Sequence, residues 1–263
     1  MNFAEAVAWA PAGPGRWRGH IDPTWMQGRG AFGGLVGAVI LRAMSTLVDR
    51  PPRTLTVHFC GPATGELELA VQVEALGRSV AQLSARMTGT DGAVVATALA
   101  TFAVSRPGTT SLDADPPPGA PLWPAGVDLG GSPFTPTFVR HHFDLRFSLG
   151  EPLFSGAARA ETGGRVRFQR PPPDDAASIV ALLDAWPPGV FPLLKGPAVA
   201  SSVDLTCHFF RPLPDPAVDV AGAFQFLKRC EQIGDGYAEE RGTLWTEGGL
   251  PVARVRQLYA FFA

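Results

Sequence analysis

One carboxylate stands alone in an apolar segment in the second half of this chain. Asp184 is the only charged residue between Asp175 and Lys195, and its neighbours include Leu183 and Trp186. A buried carboxylate is poorly solvated, and a helix C-terminus carries negative partial charge, so both effects raise the pKa. Such a carboxylate can orient or deprotonate a water molecule. The structural alternative is that Asp184 pairs with Lys195 or a backbone N–H at the end of a helix.

The histidines and cysteines favour structural roles. His58 and His208 occupy the same place in two copies of one motif, which indicates equivalent positions on two strands. Adjacent His141 and His142 have no carboxylate or cysteine at metal-binding spacing, so we predict no metal site. The cysteines also lack metal or C-x-x-C spacing, and we predict free thiols in a reducing compartment. They are Cys60, Cys207 and Cys230.

Other catalytic motifs are missing from the sequence or out of context. There is no G-x-S-x-G nucleophile motif and no P-loop. Residues 28–33 have the G-x-G-x-x-G spacing of a dinucleotide site. They lack a preceding apolar strand, and no acidic residue stands near position 53, so we interpret this match as chance.

A repeated motif indicates how the chain is organised. Residues 56–62 read TVHFCGP and residues 206–212 read TCHFFRP, so the pattern T-x-H-F-x-x-P recurs with an offset of 150 residues. Each copy opens a β-rich stretch that ends in an acidic-Gly turn and a final apolar strand. This order predicts two similar α+β units packed as a built-in dimer.

Hydrophobic periodicity predicts the elements of each unit. In the first unit we predict a buried helix at 33–47, then strands at 54–59, 66–76, 80–88 and 94–104. In the second we predict a strand at 138–147, a hairpin of 157–162 with 165–170, and a helix at 176–186 capped by Asp174 or Asp175. Strands at 199–210, 218–227, 239–246 and 251–262 follow. One helix wrapped by an antiparallel sheet is the hotdog fold, and pairing the two units joins their sheets into one.

Length and composition indicate the number of domains, the class of partner and the location of the protein. The 263 residues suit two domains, which we place at 1–106 and 133–263, with a Pro/Gly-rich linker at 107–132 that should cross the surface without joining a sheet. Charge is balanced, with 22 basic and 24 acidic residues, which argues against a nucleic-acid partner. The longest apolar stretch, 35–41, is too short to span a membrane, and no signal peptide is visible. We expect a soluble cytoplasmic protein.

Four segments of the chain resemble the double-hotdog acyl-CoA thioesterases of the thioesterase II type. Residues 31–38 (AFGGLVGA) resemble the family's V-F-G-G-Q-V-V-G helix start, and 165–170 (RVRFQR) resemble its Q-V-W-I-R strand. Residues 202–212 (SVDLTCHFFRP) are similar to T-I-D-H-S-M-W-F-H-R-P, and 252–257 (VARVRQ) to V-A-S-T-V-Q. The four segments occur in the family's order and are spread over most of the chain.

The resemblance implies hydrolysis of acyl-CoA thioesters without a cofactor. Carried over by position, the family's catalytic Asp, Thr or Ser, and Gln fall on Asp184, Ser202 and Gln257, which would hold one water for attack. A thioester suits such a site, because the thiolate leaves readily and positioning does much of the work. The amides of Gly33 and Gly34 are a candidate oxyanion hole. The alternatives are that these glycines serve the other, pseudo-symmetric site or that they allow close helix–sheet packing.

We place the acyl chain beside the second helix near Trp186, with the CoA phosphates on surface Arg or Lys side chains. Two alternatives stay open. The family has His after its Asp, where this chain has Ala185, which allows a catalytically silent acyl-CoA-binding protein. An enoyl-CoA hydratase normally needs an Asp/His pair on one loop, which is absent after these helices. We also expect self-association of the double-hotdog units.

Overall fold

The computed structural model describes residues 1–106, 108, 110, 112, 116–132 and 134–262. The first half begins with helix α1 (Phe3–Ala6) and the strands β1 (Ala10–Gly13), β2 (Arg16–His20), β3 (Met26–Gln27) and β4 (Gly30–Ala31). The long helix α2 (Gly33–Ser45) follows. Four longer strands complete this half: β5 (Pro52–Phe59), β6 (Glu66–Leu76), β7 (Val80–Gly89) and β8 (Val94–Ala103).

The second half repeats the order of a buried helix followed by four long strands. It contains β9 (Val127–Asp128), α3 (Thr137–His142), β10 (Phe143–Gly150), β11 (Glu161–Phe168) and helix α4 (Ala176–Asp184). Its long strands are β12 (Val199–Phe209), β13 (Phe224–Gly234), β14 (Tyr237–Trp245) and β15 (Pro251–Phe262). Single 3-10 turns lie at Pro23–Trp25 and Phe191–Leu193.

The two halves form one continuous antiparallel sheet of 13 strands within the described residues. Its order is β1-β2-β6-β7-β8-β5-β12-β15-β14-β13-β11-β10-β9, so β5 and β12 meet at the centre. The repeated motif lies on these two strands, where Thr56 pairs with Thr206 and their hydroxyl oxygens are 3.1 Å apart. The predicted α+β architecture, with the sheets of both units joined, is confirmed.

The two halves match strand for strand in register. β5 pairs with β8 through a bulge between Pro52 and Thr54, and β12 pairs with β15 through a bulge between Ser202 and Asp204. The next strand pairs also share their irregularity, between Val73 and Ala75 in β6 and at the matching point of β13. Each inward-facing position in one half therefore has a defined counterpart in the other.

Helices α2 and α4 lie together inside the curved sheet and form the core. Every residue of α4 is buried, and α2 is buried from Gly34 to Leu41. The helices approach closely, since a Cβ on Gly37 would lie 2.9 Å from Val180 Cγ1. The side chain of Asp175 caps α4 by accepting a hydrogen bond from the Ser178 amide at 3.0 Å.

Several sequence-based assignments in the second half are wrong. The predicted strand 138–147 is helix α3 up to His142, and β10 begins only at Phe143. The expected hairpin around Gly163-Gly164 is the single strand β11, because both glycines pair with β10 and β13. The strand expected at 218–227 is shifted to Phe224–Gly234. Turn-forming residues such as glycine mark loops locally, but long-range pairing overrides them here.

The segment between the halves packs on the second half of the sheet. Arg165 donates hydrogen bonds from Nε to the Pro121 carbonyl at 2.9 Å and from Nη2 to the Ala120 carbonyl at 2.8 Å. Val127 and Asp128 pair with β10, so the expectation that 107–132 joins no sheet is wrong at that end. Residues 107, 109, 111 and 113–115 of that segment lie outside the described residues.

Among the residues described, no helix has the length and apolarity needed to cross a bilayer.

Candidate active site

Asp184, Ser202 and Gln257 come from three different elements and meet at one point. Gln257 donates from Nε2 to Asp184 Oδ1 at 2.8 Å and to Ser202 Oγ at 2.9 Å. Asp184 is 7% exposed and Gln257 is 1% exposed, whereas Ser202 is half-buried. The cluster therefore reaches from the core towards the surface along the serine.

A bulge in β12 turns the Ser202 side chain towards Gln257. Leu205 and Cys207 face the core, so simple alternation would turn Ser202 outward. The extra residue between Ser202 and Asp204 changes the face of the sheet to which the preceding side chains point. Ser202 therefore faces inward, opposite Tyr259. Asp204 holds the bulge, because its Oδ1 accepts a hydrogen bond from the Leu258 amide at 3.2 Å.

Burial makes Asp184 more basic than an ordinary aspartate. Desolvation raises the pKa of Asp184 from 3.8 to about 6, and the negative charge of Glu240 acts in the same direction. The positive charge of Lys228 and hydrogen bonds from the Gln257 side chain and the Gly34 amide partly oppose this rise. A carboxylate of this kind is ionised near neutral pH yet holds a proton readily, which suits a general base.

The start of α2, in the first half of the molecule, packs against the Asp184 carboxylate. The Gly34 amide acts on the Asp184 carboxylate and lowers its pKa, and a Cβ added to Gly33 would lie 2.9 Å from Asp184 Oδ2. The N-cap is Phe32, whose side chain has no hydrogen-bonding atom, so the first amides of the helix depend on such partners. Gly33 and Gly34 thus belong to the site around Asp184 rather than to a second, pseudo-symmetric one.

We expect Gly33→Ala to impair this site by crowding. The new methyl group would meet Asp184 Oδ2 at 2.9 Å and the Phe59 ring at 3.0 Å, so the carboxylate must shift. A displacement of about 1 Å can cost about 100-fold in rate. The measurement is kcat with the melting temperature recorded alongside. Gly131→Ala is the matched control, because a Cβ there meets nothing within 4 Å. Equal kcat values for the two variants would contradict the expectation.

Trp186 is a core residue beneath the site. It is 1% exposed, its Nε1 donates to Thr162 Oγ1 at 3.3 Å, and its ring packs against Phe226. Its carbonyl accepts a hydrogen bond from Lys228 Nζ at 3.4 Å. Contact between this indole and an acyl chain stays a prediction.

One buried acceptor at the site has no partner among the described residues. Gln257 donates with both amide hydrogens, while its Oε1 is buried without a hydrogen bond. The opposite amide orientation would turn this oxygen towards the carboxylate of Asp184 and is disfavoured by charge. An unsatisfied buried acceptor costs about 1–3 kcal/mol, which distinguishes Gln257 from an ordinary core side chain.

A large groove lies away from these three residues. A groove of about 660 Å³ runs over the outer face of the first half of the sheet, lined by side chains that include Arg16, His58, Ser84 and Arg86. Asp184, Ser202 and Gln257 do not line it. We take the hydrogen-bonded cluster, and not the open groove, as the candidate active site, because catalysis needs convergent polar groups more than volume. Within the described part of the chain, no three metal-ligating side chains lie close enough to hold an ion.

Two family models cover most of the sequence. The acyl-CoA thioesterase N-terminal domain matches residues 21–103, and the acyl-CoA thioesterase C-terminal domain matches residues 112–261. The chain belongs to the acyl-CoA thioesterase family. It is therefore a thioester hydrolase, and the predicted double-hotdog resemblance is confirmed. The boundaries at 106 and 132 stay a prediction.

Solved structures of similar proteins share this fold over nearly their whole length. A hotdog-fold protein of unknown function from Alicyclobacillus acidocaldarius is 25% identical, with a TM-score of 0.89 over 99% of this chain and 98% of the other. A candidate thioesterase II from Thermobifida fusca is 24% identical, with a TM-score of 0.85 over 99% and 97%. An acyl-CoA thioesterase II from Mycobacterium marinum is 20% identical, with a TM-score of 0.74 over 99% and 98%. No curated protein matches the sequence.

Sequence reasoning missed four polar residues around the candidate site. Asp204 holds the bulge, and Lys228, Glu240 and Tyr259 lie buried behind Ser202. A signal was available for Lys228 and Glu240, since both stand at inward positions of strands whose other inward residues are mostly apolar. The bulge itself left no trace in the sequence pattern.

Proposed function

We propose that this thioesterase hydrolyses acyl-CoA to a free acid and CoA with a water molecule held by Asp184, Ser202 and Gln257. The observation that carries the proposal is the hydrogen-bonded contact of these three side chains. Supporting it, the site contains a base of raised pKa, two neutral polar groups and a helix N-terminus. Membership of the acyl-CoA thioesterase family supplies the substrate class.

Asp184 acts as the general base in this proposal. Its carboxylate takes a proton from the water as the water oxygen bonds to the thioester carbonyl carbon. The resulting tetrahedral intermediate collapses, the carbon–sulfur bond breaks, and the CoA thiolate leaves with the proton that Asp184 carries. Because a thiolate is a good leaving group, the site needs no stronger acid.

Ser202 and Gln257 position the reactants. The Gln257 amide fixes one carboxylate oxygen and the serine oxygen, which leaves the other carboxylate oxygen and a serine lone pair for the water. The Gly34 amide already interacts with Asp184, so we assign the developing oxyanion to the Gly33 amide and the positive end of α2. Positioning of this kind contributes much of the rate in the absence of a strong acid.

The pH dependence of hydrolysis tests the assignment of the base. We expect log(kcat/KM) to rise with a slope of one up to an apparent pKa of about 6 and then to level off, because only ionised Asp184 accepts a proton. The assay is thiol release from acetyl-, octanoyl- and palmitoyl-CoA, followed with dithiodipyridine, which also reacts at acidic pH. A flat profile across this range would exclude Asp184 as the base. Tight acyl-CoA binding without release would support a silent binding protein instead.

A further inference from the structure

A buried ion pair lies directly behind the candidate site. Lys228 Nζ is 2.6 Å from Glu240 Oε1, and the two side chains are 0% and 1% exposed. Glu240 also accepts a hydrogen bond from the Gly189 amide at 2.6 Å through Oε2. Desolvation of two charges roughly cancels their attraction, so apolar residues of similar volume serve a core at least as well. Stability alone therefore gives no reason to keep this pair.

Tyr259 connects the pair to the site. Tyr259 lies opposite Ser202 on the paired strand, its oxygen accepts a hydrogen bond from Lys228 Nζ at 3.5 Å, and its phenol interacts with both Ser202 and Glu240. Lys228 Nζ also donates to the Trp186 carbonyl, two residues beyond Asp184. The ion pair thus touches the segments that carry the base and the hydroxyl group.

The pairing of Glu240 with Lys228 indicates the direction of the contacts in this chain. An ionised Glu240 only accepts, so the Tyr259 hydroxyl is the donor between these two residues. The Tyr259 oxygen then accepts from the Ser202 hydroxyl, while the Ser202 oxygen accepts from Gln257. Because the Ser202 hydroxyl donates its hydrogen to Tyr259, Ser202 can bind a water molecule only as a hydrogen-bond acceptor.

The other half of the molecule shows what the fold needs at these positions. In matching register, five inward-facing side chains of the second half have apolar, buried counterparts in the first half. The pairs are Ser202 with Pro52, Lys228 with Val71, Glu240 with Leu83, Gln257 with Ala100, and Tyr259 with Phe102. The same framework therefore packs without any of the five polar groups, which sets them apart as one unit.

We propose that Lys228, Glu240 and Tyr259 are positioning residues that hold Ser202 as a hydrogen-bond acceptor for the attacking water. This inference rests on the proposed hydrolytic function of Asp184, Ser202 and Gln257. The three residues act through Ser202 and the charge balance around Asp184, and they do not contact the reacting atoms.

A double-mutant cycle tests the connection through Ser202. We expect Tyr259→Phe and Ser202→Ala each to lower kcat by about 10- to 100-fold with little change in KM, and the double variant to be no slower than the slower single variant. Tyr237→Phe is the matched control, since it removes the same hydroxyl from a tyrosine that is 47% exposed. Multiplied effects in the double variant, or wild-type kcat in Tyr259→Phe, would overturn the proposal.

The pH profile provides a readout that a purely structural role would not move. Among the described residues, the titratable groups acting on or beside Asp184 are Lys228 on β13, Glu240 on β14, Tyr259 on β15 and Cys207 on β12. Since Lys228 lowers the pKa of Asp184 and Glu240 raises it, Lys228→Met should shift the acidic limb to higher pH and Glu240→Gln to lower pH. Unshifted limbs, or shifts in the same direction, would contradict the inference.

The two proposals fail differently. If the wild-type chain releases no thiol, or Asp184→Asn retains full activity, the proposed function is wrong. If hydrolysis depends on Asp184 but Tyr259→Phe matches the Tyr237→Phe control, only the positioning inference is wrong.

Discussion

Asp184→Asn is expected to lower kcat for acyl-CoA hydrolysis by about 10²- to 10⁴-fold, the range that general-base catalysis contributes. The amide keeps the size of the side chain and can still accept a hydrogen bond from Gln257, but it cannot take a proton from water. The comparison uses initial rates of thiol release at saturating acyl-CoA. Retention of the wild-type rate would remove Asp184 from the mechanism.

The pH dependence of the stability of Asp184→Asn provides an independent test of the raised pKa of Asp184. The folded-state pKa of Asp184 is raised from 3.8 to about 6, so its contribution to stability is present at low pH and is lost as pH rises through about 6. The full loss is about 3 kcal/mol. Asparagine does not ionise, so the free energy of unfolding of Asp184→Asn, relative to wild type, should rise by about that amount between about pH 3 and pH 8. Urea unfolding at both pH values measures this difference, and equal pH dependence would contradict it.

Lys228→Met alone is expected to destabilise the protein by about 3–5 kcal/mol, the second large effect. It leaves Glu240, which is 1% exposed, as a buried charge without its partner at 2.6 Å. The double variant Lys228→Met/Glu240→Leu should recover most of that loss, because it replaces the pair with apolar side chains, as at Val71 and Leu83 in the first half.

Urea unfolding of wild type and both variants at neutral pH checks this expectation through the transition midpoints. Thiol release from the double variant is measured in parallel, and it should stay low even though stability returns, since Tyr259 has lost its acceptor. Equal destabilisation by the single and double variants would indicate a packing defect rather than an uncompensated charge.

Much of the fold could be predicted because local patterns specify it. The apolar spacing in α2 predicted its start at Gly33, and the alternation in β6 predicted Glu66–Leu76 with its observed bounds. Prediction failed where local signals and long-range pairing disagreed. Gly163-Gly164 resembles a turn, but it is the middle of β11, where a Cβ on Gly163 would clash with the Phe226 carbonyl oxygen.

The sequence by itself determined the duplicated architecture, the family resemblance and the identity of three candidate residues, because these depend on residue types and spacing. Only the tertiary structure decided how they meet. The bulge beside Ser202, the closure of Gly34 over Asp184 from the other half, and the Lys228–Glu240 pair all depend on strand register and helix packing. Register is set by the burial of whole faces across distant segments, so no local pattern contains it.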